Sequence, residues 1–345
     1  MLKNLLRVLF VILTVVVVFS FKLGDEPRYS KYLKEEQINI AELSVEDVLI
    51  NLGEKPPIHY IKTLDKDSVR MGEEMIKYGE LLDGSNKRIS KFFFCTDCHN
   101  LQKESPDPAD QSPAVVLAYG LENKVPFLPA ATFYGMYNKR HWYNGDYAKK
   151  YGDLVAPTRD TLENAIQLCA TQCSQGREMT DWEIRCVMHY YKSLEYKIGD
   201  LVFTDYEINL LSKAFSSNPS LASEIIRSRY HQINDATFGT SKIPEIEGYV
   251  PSMRNGEYIY VYGCMHCHSP EKEITNFDLS MDKLSFKFLE SKLNKYNSFS
   301  LSHITRYGTY AVSGRKQYMP QYSMENMSDE QLLDLIGYIK FKANE

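Results

Sequence analysis

Two short stretches constrain this chain more than any other feature: Cys95-Thr96-Asp97-Cys98-His99 and Cys264-Met265-His266-Cys267-His268. Two cysteines separated by two residues, with histidine next, form the attachment signature of a c-type haem. The spacing has a chemical origin. Two thiols add to two vinyl groups along one edge of the porphyrin, and the following histidine is then aimed at the iron. A zinc knuckle also combines paired cysteines with histidine, but a second copy and an export signal favour haem. The reading is two c-type haems. Cys95, Cys98 and His99 would hold the first and Cys264, Cys267 and His268 the second, with His99 and His268 as proximal iron ligands.

The N-terminus agrees with that chemistry. Lys3 and Arg7 precede an almost unbroken apolar run from Val8 to Phe21, short for a membrane-spanning helix and typical of a signal-peptide core. Val18 and Ser20 make only a passable cleavage position. Residues 1–24 are therefore expected to be a signal peptide or an N-terminal membrane anchor, and the remainder to be periplasmic. A net charge of -5 gives no reason to expect nucleic-acid binding, and 43% hydrophobic with 25% charged residues is the composition of a globular protein. Of seven cysteines, four belong to the two motifs, leaving Cys169, Cys173 and Cys186. Three is an odd number, so at least one is free even where disulfides are permitted.

An internal repeat surrounds the motifs. Gly72-Glu73 through Tyr78-Gly79 matches Gly256-Glu257 through Tyr262-Gly263 without a gap, and each stretch precedes a motif. In the first copy Glu80 to Phe94 intervene. Further on, Thr180-Asp181-Trp182-Glu183 and Ser328-Asp329-Glu330-Gln331 are capping boxes that open helices. Apolar stripes follow at Ile184, Val187, Tyr191 and Leu194, and at Leu332, Leu335, Ile336 and Ile339. A Gly-Arg pair lies upstream of each, at Gly176-Arg177 and Gly314-Arg315.

That order of helix, motif, loops and closing helix resembles the class I cytochrome c domain, over 61–197 and again over 251–345. The resemblance implies an all-α fold of two such domains. They would be preceded by a polar arm over 25–60 and joined by a partly helical linker over 198–250, in which Tyr206 to Phe215 has helical spacing.

The sixth iron ligands separate the two copies. Met319, on a loop fixed by Pro320, is the expected ligand of the second haem, with Met324 and Met327 nearby as rivals. Thioether ligation favours ferrous iron and raises the potential. The first copy has no Met-Pro. Its corresponding region runs from Ala165 to Arg177 and contains Cys169 and Cys173. The residues leave Cys169, Cys173, a methionine (Met136 or Met179) or no protein ligand open. Ile166, Cys169 and Gly176-Arg177, followed by the capped helix, resemble the diheme thiosulfate dehydrogenases. That resemblance implies Cys169 as the axial ligand, and Arg177 as the cation that attracts an anionic sulfur substrate. Cys173 is not part of that pattern.

The aromatic stretch from Pro126 to Asp153 also carries Lys139, Arg140 and His141. It reads either as a wall over the first haem or as a pocket that receives an anion. The expected function is electron transfer from a lower-potential first haem to a higher-potential second one, and on to a redox partner protein or respiratory complex. Oxidation of a small sulfur compound at the first haem is the alternative. A diheme peroxidase shares the two motifs and the length, without a further match in the loops.

Overall fold

The computed structural model describes residues 40–233, 235–272, 274–293, 299–309 and 317–345. The export segment, residues 25–39 of the arm and Gly314-Arg315 lie outside the described residues. Helix makes up 52% and strand 2%, so the chain is mostly helical, in line with an all-α reading. Among the described residues no helix is long and apolar enough to cross a membrane. The helices run α1 Val45–Asn51, α2 Lys66–Tyr78, α3 Pro113–Asn123, α4 Tyr147–Tyr151, α5 Leu162–Leu168, α6 Asp181–Ser193, α7 Asp205–Ser217, α8 Pro219–Arg227, α9 Met253–Ile259, α10 Met265–His268, α11 Lys283–Leu293, α12 Leu301–Tyr307 and α13 Asp329–Asn344.

The chain divides into two compact units, one of residues 40–60, 107–110 and 195–232, the other of 61–106, 111–194 and 233–345. The smaller unit is built on α1, α7 and α8. Ser44 caps α1 through the Asp47 amide, and Thr204 with Glu207 forms a capping box on α7. Arg227 on α8 donates to Glu54 at 2.8 Å.

The larger unit contains both cysteine-histidine motifs and two helix pairs made in the same way. In one, α2 crosses α6; in the other, α9 crosses α13. Each crossing needs a glycine. A Cβ on Gly72 would stand 2.1 Å from the Cys186 carbonyl oxygen, and one on Gly256 would stand 2.2 Å from that of Asp334. The Cβ atoms of Tyr190 and Tyr338 close the two crossings at 2.9 and 2.6 Å from the same points. Both closing helices start in the expected capping boxes, Thr180 with Glu183 and Ser328 with Gln331. The copies differ at their front ends. α2 stops at Gly79, which adopts the left-handed conformation (φ 73°), whereas α9 runs through a π-turn at Tyr260–Cys264 directly into α10.

Two apolar cores form around these pairs. One gathers Met75, Ile76, Phe133, Trp142, Ile166, Val187 and Tyr191; the other gathers Tyr258, Tyr260, Phe286, Leu332, Leu335 and Ile339. The second core also takes in Leu117 of α3 and Phe127. Main-chain and side-chain bonds fix that segment. Phe127 N donates to Tyr262 O at 3.0 Å, Tyr322 Oη to Phe127 O at 2.8 Å, and Gln331 Nε2 to Pro113 O at 2.6 Å. Residues 113–129, which follow the first motif, are thus built into the core around the second.

Candidate functional site

Each motif presents its histidine in the same way. His99 Nδ1 lies 2.6 Å from Ala131 O, and its ring stacks on Phe133 with centroids 4.2 Å apart. His268 Nδ1 lies 2.7 Å from Phe277 O, with the Phe277 edge against its ring at 5.4 Å. A carbonyl can only accept, so Nδ1 carries the proton and Nε2 keeps the lone pair that a metal needs. Burial pulls the His99 pKa down to about 4, the carbonyl bond opposing and Lys139 assisting. The ring therefore stays neutral, which is the ligating form.

The loop carrying the first motif is pinned from both sides. Asp97 Oδ2 accepts from Phe94 N at 2.7 Å, Ala130 N donates to Cys98 O at 3.1 Å, and Phe133 N donates to Asn100 O at 2.8 Å. Half-buried Glu104 and buried Lys139 interact close to it. Glu104 accepts from Asn100 Nδ2 at 2.7 Å and from Thr132 N at 3.1 Å. Burial pushes Glu104 up to about 7 and Lys139 down to about 8, each partly offset by the other's charge.

The two motifs touch. Cys267 Sγ lies 3.9 Å from Asp97 O, and His266 is bonded to the Thr96 main chain. His266, which reads from sequence as a surface residue, is half-buried by this contact.

One cavity gathers most of the residues anticipated for the first haem. Cys95, Cys98 and His99 line it together with Cys169, Cys173, Met136 and Met179. Phe133, Trp142, Tyr143, Tyr147 and Tyr151 supply an aromatic wall, so the stretch from Pro126 to Asp153 does face this space. A flat apolar group anchored by two thiols and one imidazole fits these residues. Among the described residues no three His, Cys, Asp or Glu side chains converge as a zinc site requires.

The local fold explains how both cysteines reach the cavity. After α5 the chain widens into a π-turn at Cys169–Cys173, closed by Ser174 N donating to Cys169 O at 2.8 Å. Such turns often occur at functional sites. The chain then leaves through Gly176, where a Cβ would meet Ile89 O at 2.4 Å and Ala170 O at 2.8 Å. Tyr151 Oη and Tyr143 Oη stand 3.4 and 3.5 Å from Cys173 Sγ. The Cys169 thiol bonds to Cys173, which together with the tyrosines lowers the Cys173 pKa against the opposing effect of burial. The same bond and burial raise Cys169. As a pair they favour the thiolate on Cys173, with Cys169 as the donor.

Arg177 is not brought to this cavity. Its guanidinium grips Glu183 with two bonds, at 2.6 and 2.9 Å, and donates to Glu178 O. Expected from sequence as the cation beside a sulfur anion, it lies off the cavity lining and locks the start of α6. Lys150 is the cation near Cys173. Sequence spacing gave no hint of this, because Lys150 is fixed by Gln321, 171 residues away.

The main chain of Met319, the expected ligand of the second haem, is held by Thr309. Met319 N donates to Thr309 Oγ1 at 2.7 Å, and Thr309 N donates to Met319 O at 3.0 Å. Of the other two candidates, Met327 is buried in the core that Cys264 packs against, and the Met324 sulfur packs at Gly239. Arg306, fully buried, fastens the loop that follows by donating to Met327 O and to Asp329 Oδ1 at 2.7 Å. No sequence signal had singled out Arg306.

Residues 253–341, from α9 through most of α13, match the family model described as Cytochrome c. That domain implies a covalently bound c-type haem and suggests electron transfer. No curated protein and no solved structure matches the chain.

Proposed function

We propose that the chain is an exported diheme cytochrome c that passes electrons from the His99 site to the His268 site, and on to a redox partner of a respiratory chain. Cys95 and Cys98 would hold one haem, with His99 as an iron ligand; Cys264 and Cys267 would hold the other, with His268 and Met319 as the residues that ligate its iron. Bound haem supplies one-electron chemistry, with a potential lowered by a thiolate ligand and raised by methionine. The observation that carries the reading is the contact of the two motifs, Cys267 Sγ to Asp97 O at 3.9 Å. It is supported by the matching Nδ1–carbonyl bonds of His99 and His268. The residues around each motif orient the imidazole, and an aromatic wall lines the cavity beside His99. The intact mass of the exported protein should exceed that of the polypeptide by two haems, and a redox titration should resolve two midpoints. A mass gain of a single haem would sink the diheme reading. Sequencing the mature N-terminus checks whether the export segment is cut or retained as a membrane tether.

Oxidation of a small sulfur compound at the first haem is the second reading, favoured by two cysteines lining one cavity with His99. Electron paramagnetic resonance of the oxidised protein tests which sulfur ligates the iron. A thiolate-type low-spin signal that vanishes in Cys169→Ala assigns Cys169, and one that vanishes only in Cys173→Ala assigns Cys173. No such signal in the parent protein leaves the plain electron carrier.

A further inference from the structure

One polar group on the cavity wall has no partner among the described residues. Gln321 is 7% exposed and lines the cavity. Its amide orientation is fixed, because Lys150 Nζ donates to Gln321 Oε1 at 2.6 Å and an ammonium cannot accept. The other end of the amide, Nε2, is buried without an acceptor. A buried donor left unmet is costly, so the arrangement is complete only when an acceptor arrives. Lys150 is held where it is by more than this bond: its ammonium lies 5.6 Å from the Tyr151 ring centroid and 5.5 Å from that of Tyr318. One hydrogen bond leaves two of its three protons for a further partner. Two carboxylates lie on the wall: Asp235 is exposed, and Glu325 accepts from Thr237 N at 3.0 Å.

We infer that Lys150 and Gln321 form a subsite for an anionic oxygen acceptor in the cavity that holds His99 and Cys173. A cation and an amide donor joined to each other at one end present a forked pair of donors to a carboxylate or a small tetrahedral oxyanion. That chemistry has two sources. One is a propionate carboxylate of the haem held by Cys95 and Cys98. The other is a free inorganic oxyanion entering the cavity beside Cys173, which would give the sulfur reading its substrate class. The inference rests on the proposed haem at the first motif only for the first of these.

The test uses the full haem-loaded chain and two variants. Gln321→Glu keeps an acceptor for Lys150 but replaces the free donor with an oxygen, and Lys150→Met removes the cation. Sodium sulfate and sodium thiosulfate are titrated by calorimetry at constant ionic strength, and the midpoint potentials are measured separately. If the ion is free, the parent binds it and Gln321→Glu weakens binding at least tenfold. If the acceptor is the propionate, the parent binds no ion, but both variants shift the midpoint of the first haem and leave the second unchanged. Parent and variants alike in both readouts would overturn the subsite. Haem content, measured on the same samples, shows separately whether the diheme reading has failed.

Discussion

The turn that carries Cys169 and Cys173 is anchored at its exit by Glu183, and that anchor should dominate the acid stability of the first half. Glu183 is 3% exposed, receives two bonds from Arg177, one from Asn86 Nδ2 at 3.0 Å and one from Thr180 N at 2.8 Å. Burial alone would raise its pKa. The Arg177 pair and the amide donors outweigh it and hold the carboxyl at about 2, against an ordinary 4.5. That gap, at about 1.4 kcal/mol per pH unit, corresponds to about 3 kcal/mol. Arg177 is a quarter exposed, so solvent screening trims the expected figure to about 2 kcal/mol. The sign follows from the depressed value. The contribution is fully present above pH 4.5 and is lost as pH falls through about 2. Urea unfolding of parent and Glu183→Gln, followed by circular dichroism, should show the variant about 2 kcal/mol less stable at pH 7. The difference should narrow below pH 4 and nearly close by pH 2. A difference that stays constant between pH 7 and pH 2.5, or is absent at pH 7, would refute the ion-pair argument.

The glycine crossings predict matched damage. Gly72→Ala and Gly256→Ala each force a Cβ into a carbonyl oxygen within 2.2 Å, so each should cost about 1–3 kcal/mol by overpacking and lower the thermal midpoint by several degrees. Asp334, 1% exposed, accepts from Tyr249 Oη, Ser252 N and Asn255 Nδ2 at 2.7, 2.7 and 2.9 Å. Asp334→Ala should cost about 2–3 kcal/mol through the donors it strands; an unchanged melting temperature would show that these donors find other acceptors.

Local signals in the sequence were legible because their physics is local. A capping box spans four residues, and both closing helices start where Thr180 and Ser328 place them. The glycine repeat had a cause that spacing could hint at but not state: Gly72 and Gly256 admit the backbones of α6 and α13. The cavity that holds His99 was legible only in part. Cys169 and Cys173 could be placed near His99 from their position between motif and closing helix. The partner of Arg177 could not, because the choice between an anion in the cavity and Glu183 six residues on depends on how the chain leaves the π-turn at Gly176. Lys150 with Gln321, and α3 with the second core, are pairings across 171 and 218 residues. No periodicity or motif records such distances.

Those long pairings bear on how the two halves work as one object. The loop after α12 holds Met319 to Thr309 while the residues beside it, Tyr318 and Gln321, wall the cavity of His99. Phe127, from the segment after the first motif, stacks on Tyr322 of the same loop with centroids 5.8 Å apart. A shift of this loop therefore reaches both sites at once: the backbone of Met319 on one side, and the Lys150–Gln321 pair beside Cys173 on the other. Two independent modules on a tether would need no such sharing. Interlocked walls make the packing around one motif depend on that around the other.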